Sequence, residues 1–271
     1  VQTCALPILK IHKNCLDFIS DYQRTDLISK IQGKNYFVFK SNGKQSRAVN
    51  SELFVQNYEF AESVVNSIIK NDFKKTNPEE ITKALYSIAI SFCSSIDLLK
   101  RGDQKTPGTY FEYFVTHWFA KMLQINPRKQ VDVLNLDMST SLPTDCIFDL
   151  GTNRPKIHLP VKTSTRERVI QVWAHQRVLD GVYGTGRFLG FLVCLSETKV
   201  DHVRMEVVEI CLPDQWRLYQ MFIAQMKRIY YLDVPTRYLT LNEIFPPIHV
   251  RPFGEFFYEI GGLVEGRETK L

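Results

Sequence analysis

The sequence predicts an α/β protein in which a central mixed β-sheet is flanked by helices and preceded by a helical subdomain. Apolar residues recur at helical spacing through much of the first hundred residues. Short apolar runs bounded by turn residues then alternate with helical segments. Such alternation is typical of a sheet covered by helices. We therefore expect a mainly helical N-terminal subdomain at residues 9–104 and an α/β core at residues 105–271.

The N-terminal subdomain is predicted from periodicity and from residues that begin or end an element. The expected elements are helices over 9–32, 51–71 and 77–100 and a short strand over 36–39. The third helix begins at Asn77-Pro78, because proline fits just inside a helix start. A turn follows the strand at Asn42-Gly43, a pair that favours positive φ.

The core is expected to begin after a break at Lys105-Thr106-Pro107-Gly108. Its expected elements are a helix capped by Thr109, a strand at 131–136, a strand and turn at 143–151, a returning strand at 156–162, a helix at 165–180, strands at 188–195 and 203–212, and a helix at 214–229. Tyr230 and Tyr231 are interpreted as core or edge aromatics, with a stacking platform for nucleotides as the weaker alternative.

Composition limits the class of protein. The chain of 271 residues carries a formal charge of +5, which favours a polyanionic partner. Its basic residues are also interspersed with acids, as on an ordinary solvated surface. Six cysteines lie far apart with no C-x-x-C pair, so we expect buried thiols in the reducing cytoplasm and no zinc site. No apolar run approaches the roughly 18 residues of a membrane helix.

Residues 1–8 are expected to be foreign to the domain. One set of codons for this segment resembles the end of a common sequencing-library adapter, and the alternative is an ordinary N-terminus. Foreign segments are kept out of fold reasoning. We therefore expect the fold to begin at residue 9 and residues 1–8 to be dispensable.

Chemistry is expected at the hairpin that contains Asp145 and Lys162. Asp145 precedes an apolar run, and Lys162 closes the next apolar run along the chain. A carboxylate that holds a divalent cation next to a lysine is what hydrolysis of a phosphodiester requires. Asp145 could instead be a turn aspartate, and Lys162 a solvent-facing lysine at a strand end. The apolar neighbours Leu159 and Val161 favour the functional interpretation, because a buried strand rarely holds a lysine without a partner.

The residues around this hairpin resemble a known signature. Pro-x-Asp at 143–145, a hairpin, and Val-Lys-Thr-Ser-x-Arg-Glu-Arg at 161–168 opening a helix resemble the PD-(D/E)xK nuclease superfamily. Within it, the stretch is most similar to type II restriction endonucleases, and the resemblance covers roughly residues 105–245. It implies a restriction-endonuclease-like core that hydrolyses double-stranded DNA with Mg²⁺. It also implies a homodimer and a cognate DNA methyltransferase as a genetic partner.

The resemblance also assigns roles to residues. Asp145, Glu112 and Val161 would belong to the metal site, and Asp145, Lys162 and Glu112 would be catalytic. Lys162 would contact the scissile phosphate and stabilise developing negative charge. The chain departs from the signature at Pro160, which replaces the acid of the D/E-x-K half.

Two glutamates have competing structural interpretations. Thr109-x-x-Glu112 has the spacing of a capping box, so Glu112 could be a cap rather than a metal ligand. Ser164-x-x-Glu167 has the same spacing, and for Glu167 the structural role is favoured. Asp149 precedes a turn and is interpreted as structural.

The helix after Lys162 carries a polar stripe that we expect to contact DNA. Its members are Arg166, Arg168, Gln171, His175 and Gln176. Arginine and glutamine can read base edges, although arginine can also pair with phosphates without reading sequence. His175 could instead be a satisfied helix histidine.

Three functions remain open on the sequence. The first is a Mg²⁺-dependent restriction endonuclease. The second is a repair or defence nuclease that recognises structure rather than sequence. The third, motivated by Pro160, is a DNA-binding protein on a catalytically dead nuclease fold.

Overall fold

The computed structural model describes residues 5–41, 43–134 and 139–266. The helices are α1 (Ala5–Ser20), α2 (Tyr58–Ile69), α3 (Pro78–Leu99), α4 (Lys105–Leu123), α5 (Val169–Tyr183), α6 (Pro213–Phe222), α7 (Thr236–Leu239) and α8 (Phe256–Val264). The strands are β1 (Gln23–Asp26), β2 (Ile28–Ser29), β3 (Tyr36–Ser41), β4 (Lys44–Gln45), β5 (Val49–Asn50), β6 (Arg128–Leu134), β7 (Ser139–Asp149), β8 (Lys156–His158), β9 (Val161–Lys162), β10 (Phe188–Cys194), β11 (Thr198–Asp201), β12 (Glu206–Glu209), β13 (Met226–Tyr231) and β14 (Val250–Pro252).

The central sheet is mixed, as the sequence predicts. Its strand order is β14-β13-β10-β8-β7-β6, and the short β9 also pairs with β10. β10 runs parallel to β8, β9 and β13, whereas β7 is antiparallel to both β6 and β8. The predicted α/β class with a central mixed sheet is therefore confirmed.

Helices cover both faces of this sheet. Phe191 of β10 contacts Phe119 of α4 in the larger hydrophobic core, and the next residue, Leu192, lies in a second core with Trp173 of α5. Successive strand residues point to opposite faces, so a strand buried on both sides reads as a continuous apolar run. That is why the strand at 188–195 is visible in the sequence.

The helix expected over 214–229 is wrong in its second half. α6 ends at Phe222, and the following residues form β13, which lies between β10 and β14. Gln220 makes this change of direction possible, because its side chain accepts from the amide of Met226 at 2.9 Å and donates to the carbonyl of the same residue at 3.2 Å. Tyr230 and Tyr231 are fully buried core residues of β13.

The helix expected over 9–32 is also wrong beyond Ser20. β1 pairs antiparallel with β3, and Leu27 and Ile31 pack against Tyr36 and Val38 in a small separate core. The apolar residues whose spacing favours a helix, Leu27 and Ile31, therefore lie between and after the short strands β1 and β2 instead. The expected strand at 36–39 is confirmed as part of β3. Gly43, at φ +76°, precedes β4, while Asn42 lies outside the described residues.

Side-chain caps set the starts of α2 and α3. Asn57 accepts from the amide of Phe60 at 2.8 Å, so α2 begins at Tyr58 rather than at the expected residue 51. Asn77 and Glu80 form a full capping box at the start of α3, which confirms that predicted start.

α3 is the central helix of the N-terminal subdomain. By length and composition it is apolar enough to cross a membrane, but 78% of its most apolar window is buried inside the structure. A core helix passes the same test, and the packing of α3 against α1, α2 and α4 gives it that place.

The expected boundary at residue 8 falls inside α1. This helix begins at Ala5, and Ile8 is 8% exposed in the larger core. The expectation that the fold begins at residue 9 is therefore wrong for Ile8. The origin of residues 1–8 stays a prediction, and residues 1–4 lie outside the described ranges.

Asp233 ties the N-terminal subdomain to the core. It follows β13 and accepts from Lys34 Nζ at 2.7 Å, from the Tyr36 hydroxyl at 2.9 Å and from Asn50 Nδ2 at 3.0 Å. The larger hydrophobic core also contains residues from both subdomains. The first hundred residues therefore form part of the body that carries the site.

The cysteines behave as the sequence predicts where the structure describes them. Cys15, Cys93, Cys146, Cys194 and Cys211 are free and buried. Burial raises the pKa of the Cys146 thiol to about 12. Cys4 lies outside the described residues.

Candidate active site

The hairpin of β7 and β8 brings Asp145 beside Lys162. The Lys162 ammonium donates to Asp145 Oδ2 at 2.5 Å, and the amide of Val161 donates to the same oxygen at 2.9 Å. The side chains of Asp145 and Lys162 are 25% and 33% exposed. The two residues expected to form the site therefore meet at a surface that solvent reaches.

The returning strand is not continuous, and its break positions Lys162. β8 pairs with β7 and ends at His158, after which β9 pairs only with β10. Pro160 lies between them and has no amide hydrogen, but its carbonyl accepts from Val193 at 3.1 Å. The proline therefore lets the chain pass from one pairing to the next.

The backbone of Val161 faces the aspartate. The carbonyl of Pro160 accepts from Val193 of β10, and the carbonyl of Lys162 accepts from Leu195, which directly follows β10, at 3.1 Å each. Amide and carbonyl groups of neighbouring strand residues point to opposite edges, so the carbonyl of Val161 points away from β10, on the same side as its amide. That is the side on which Asp145 lies.

A divalent cation fits this arrangement with few protein ligands. Both hydrogen bonds of Asp145 among the described residues fall on Oδ2, which leaves Oδ1 for a ligand. Within the described ranges, no group of three or more histidine, cysteine, aspartate or glutamate side chains is placed to hold a metal. Mg²⁺ commonly keeps several waters and takes one or two carboxylates plus substrate phosphates, so Asp145 with the Val161 carbonyl suits it.

Glu112 lies within α4, and it is not a helix cap. α4 begins at Lys105, so the capping interpretation of Thr109 and Glu112 is wrong. Glu112 instead accepts from Lys129 of β6 at 2.8 Å. Lys129 directly follows Arg128, which pairs with Ile147 of β7, so Glu112 lies near the part of β7 that carries Asp145.

Glu197 is a buried carboxylate that the sequence did not single out. It is 1% exposed, and it accepts from the Ser164 hydroxyl at 2.6 Å, from the amide and hydroxyl of Thr165 at 2.8 and 2.5 Å, and from the Tyr231 hydroxyl at 3.0 Å. These bonds fasten the residues that follow Lys162 to the end of β10. An acid directly after a fully apolar strand was the available signal.

The predicted capping box at Ser164 is wrong, because the Ser164 hydroxyl is bonded to Glu197 instead of to a helix amide. Ser164 donates to Glu197, and neither the short 3₁₀ turn Arg166–Arg168 nor α5 has a side-chain cap. The side chain of Glu167 lies outside what the structure describes. Asp149 ion-pairs with Lys156 at 2.8 Å and accepts from the Gly151 amide, which suits its predicted turn role.

The polar stripe on α5 divides into exposed and buried members. Arg166, Arg168 and Gln171 are exposed, and His175 is partly buried. Gln176 is 1% exposed, and its amide donates to the Phe188 carbonyl. The position of Gln176 in the core does not suit DNA contact, whereas the other four remain open to it.

Two histidines lie next to the Asp145–Lys162 pair. Burial lowers the pKa of His158 to about 4, and its Nδ1 lies 3.0 Å from Gln176 Oε1. Burial also lowers the pKa of His175, on which Asp145 and Lys162 act with opposite sign. The ring of His175 on α5 lies 6.3 Å from the ring of His158, which pairs with Ile147 of β7.

Comparison with known proteins gives one extensive structural match. No family model matches the chain, and no curated protein matches it. The crystal structure of the type IIP restriction endonuclease Kpn2I is similar with a TM-score of 0.81 and 26% identity, covering 96% of this chain and 91% of that chain. The structure of restriction endonuclease PspGI with substrate DNA has a TM-score of 0.45 and 14% identity, covering 77% of this chain and 93% of that one.

The match to Kpn2I covers nearly the whole of this chain. The hairpin with Asp145 and Lys162 carries the signature residues, and its strands β7 and β8 lie inside the mixed sheet of this chain, between β10 and β6. The chain therefore has the restriction-endonuclease-like fold of the PD-(D/E)xK nuclease superfamily.

Proposed function

We propose that this protein is a Mg²⁺-dependent, sequence-specific double-strand DNA endonuclease of the type II restriction class. The observation that carries the proposal is the 2.5 Å contact of Lys162 Nζ with Asp145 Oδ2 on a hairpin whose backbone also faces the carboxylate. Similarity over nearly the whole chain to a type IIP restriction endonuclease supports a nuclease of this kind.

The proposed chemistry divides between a metal position and a lysine. Asp145, the carbonyl of Val161 and, across the end of β7, Glu112 would hold Mg²⁺. The ion supplies Lewis-acid charge and lowers the pKa of a bound water. Lys162 would donate to a non-bridging oxygen of the scissile phosphate and orient the attacking water. Its ammonium would then stabilise the charge that develops on the phosphate.

The residues after Lys162 would contact the DNA. Arg166 and Arg168 can pair with phosphates or with guanine edges, and Gln171 can read adenine. His175, on the same helix, would approach the DNA near the cleaved bond. Their place on or just before α5 puts these contacts beside the chemistry.

The proposed assembly is a homodimer that works in the cytoplasm with a cognate DNA methyltransferase as its genetic partner. Each copy carries a single Asp145–Lys162 pair, and two copies related by a two-fold axis match a palindromic site and cut both strands. Sedimentation velocity at several protein concentrations tests this part, since a chain that stays monomeric with and without DNA contradicts it.

Plasmid digestion tests the activity itself. Incubation with Mg²⁺ should convert a panel of plasmids into discrete bands, and the same reaction in EDTA should leave them intact. Smears or nicks would instead indicate a repair or defence nuclease without sequence specificity.

A catalytically dead DNA-binding protein is the second candidate, and Pro160 favours it. Pro160 takes the place of the usual second acid. Within the described ranges, Asp145 belongs to no group of three or more side chains that could hold a metal ion. DNA binding in EDTA without cleavage in Mg²⁺ or Mn²⁺ would support this alternative.

A further inference from the structure

A cluster of basic residues lies at the turn of the β7–β8 hairpin, away from Asp145 and Lys162. The hairpin turn, the start of β6 and the segment before β10 enclose a depression of about 600 Å³. Four basic residues line it: Arg128, Arg154, Lys156 and Arg187. We call this set the basic depression.

The residues that the structure describes do not balance the charges in the basic depression. The one carboxylate in its lining is Asp149, which is bonded to Lys156 Nζ at 2.8 Å and to the amide of Gly151 at 3.1 Å. The guanidinium groups of Arg128, Arg154 and Arg187 form no ion pair with any residue that the structure describes. Four basic residues and one acid leave a net charge of +3.

The backbone converges here in a defined way, so the three arginines are held around one space. Gly151 at φ +100° and Asn153 at φ +62° make the tight turn that carries Arg154. The amide of Lys156 donates to the Arg187 carbonyl at 2.8 Å, which joins the turn to the segment before β10. The guanidinium groups therefore come from three separate elements that backbone contacts hold together.

Some of the basic residues also have a structural explanation that needs no ligand. α5 ends beside the depression at Tyr183, and the carboxyl end of a helix favours nearby cations. That effect suits one or two basic side chains. Three arginines around one depression are more than it accounts for, and they suit an anion with several oxygens.

We propose that the basic depression is a phosphate-binding site that takes the backbone of a DNA duplex outside the cleavage position. The open shape of the depression suits a polymer that passes over it. Asp149 lies four positions beyond Asp145 on β7, a distance of roughly 13 Å along the strand. The phosphate held here is therefore not the one that is cut. This inference rests on the proposed function as a DNA endonuclease.

Salt dependence of DNA binding tests the proposal. The triple variant Arg128→Ala/Arg154→Ala/Arg187→Ala is compared with the triple variant Lys44→Ala/Lys70→Ala/Lys74→Ala, which removes the same charge from exposed lysines of the N-terminal subdomain. Anisotropy of a labelled duplex is measured in EDTA over a range of KCl concentrations. Each lost phosphate contact reduces the slope of log K against log salt by about 1.

The proposal expects the arginine variant to lose a slope of about 2–3 and at least about tenfold in affinity at low salt, while its melting temperature stays near that of the wild type. The lysine variant should keep the wild-type slope. An Arg128→Lys/Arg154→Lys/Arg187→Lys variant should recover most of the slope, because it restores the charge.

Three outcomes would overturn the proposal. If the arginine variant keeps the wild-type slope while the wild type binds DNA, the basic depression is not a DNA site and the proposed function stands. If the arginine variant loses binding of tripolyphosphate in calorimetry but keeps its DNA slope, the anion is a free polyphosphate. If the wild type binds no duplex at any salt concentration, the proposed function fails together with this inference.

Discussion

The ammonium of Lys162 and the carboxylate of Asp145 form an ion pair in which one oxygen, Oδ2, accepts both the side chain of Lys162 and the amide of Val161. The carboxylate is therefore fixed to the backbone of the residue before the lysine. Partly exposed ion pairs contribute little to stability, typically about 0–1 kcal/mol. The pair is thus better explained by what its charges can bind than by what they add to the fold.

Cleavage should depend on both members of this pair, whereas DNA binding should not. Asp145→Asn removes a metal-binding charge, and Lys162→Ala removes a positive charge at the scissile phosphate. We expect each variant to lose at least about 10²-fold in the single-turnover cleavage rate, on the order of 3 kcal/mol. Anisotropy with a labelled duplex in EDTA should give near-wild-type affinity for both.

Asp149→Asn is the matched control for this experiment. It removes a carboxylate from the same strand that is paired with a lysine at 2.8 Å in the same way. It should cleave like the wild type. Wild-type rates for Asp145→Asn or Lys162→Ala would contradict the assignment of the site.

Glu112 has a partner in the structure, so its proposed metal role can be separated from its ion pair. Glu112→Gln should abolish cleavage if the carboxylate holds Mg²⁺, and it should change the free energy of unfolding by about 1 kcal/mol or less because the pair is partly exposed. Lys129→Met breaks the same ion pair but leaves the carboxylate. It should therefore keep cleavage, as measured on plasmid DNA.

If Glu112→Gln and Lys129→Met both cut normally with similar small losses of stability, Glu112 is only an ion-pair partner. The second metal ligand would then have to be sought elsewhere, with Glu167 as the next candidate.

The sequence was informative where short-range chemistry decides the structure. The strand at 188–195 is recognisable because both faces are buried, and the start of α3 is recognisable because Asn77 and Glu80 complete a capping box. Asp145 and Lys162 could be expected to meet because the β7–β8 hairpin returns the chain beside β7, although Lys162 itself lies in β9, which pairs with β10. These features depend on residues within about 20 positions of one another.

The sequence was less informative where tertiary contacts override local spacing. The Ser-x-x-Glu spacing at Ser164 does not form a cap, because Glu197, 33 residues further on, takes the Ser164 hydroxyl. The pattern over 214–229 does not stay helical, because Gln220 binds the backbone of Met226 and the next residues complete the sheet. Neither partner can be identified from spacing alone.

Glu197 should be needed for both stability and cleavage. Glu197→Gln replaces one acceptor oxygen with a donor, which would face either the Ser164 hydroxyl at Oε2 or the donors of Thr165 and Tyr231 at Oε1. A buried donor left unpaired costs about 1–3 kcal/mol, so urea unfolding should show a loss in that range or above it. Cleavage should also fall, because the residues after Lys162 lose their attachment to β10.

Tyr231→Phe is the comparison for Glu197→Gln. It removes only one of the four hydrogen bonds to this carboxylate and leaves Ser164 and Thr165 attached. It should cost about 1 kcal/mol and keep cleavage near the wild-type rate. Equal loss of cleavage in the two variants would show that the attachment of Ser164 and Thr165 is not what matters.

The stability of the protein should fall with acidification partly through His12. This residue is fully buried, and burial lowers its pKa from 6.5 to about 4. The unfolded chain therefore takes up this proton first as the pH falls. The stabilising contribution of neutral His12 is complete above pH 6.5 and decreases as the pH falls to about 4. The resulting loss in the free energy of unfolding is up to about 3 kcal/mol.

His12→Gln should flatten this part of the pH dependence. Glutamine has no such titration, and its amide can still reach Ser91, which lies 2.9 Å from His12 Nδ1. Urea unfolding at several pH values between 4 and 6.5 would measure the change, with the exposed His202→Gln as the control substitution. Parallel curves for His12→Gln and the wild type would exclude His12 as a source of the acid sensitivity.

N-terminal deletions should lower the stability of the protein only when they reach into α1. Ile8 is buried in the larger core, so Ile8→Ala should lower the free energy of unfolding by about 2 kcal/mol or more. Deletion of residues 1–4, which precede α1, should change it by no more than about 0.5 kcal/mol, as surface changes do. Deletion of residues 1–8 should then cost at least as much as Ile8→Ala, because it also removes the first turn of the helix. A wild-type unfolding curve after deletion of residues 1–8 would instead mean that the contacts of Ile8 contribute nothing and that the fold begins at residue 9.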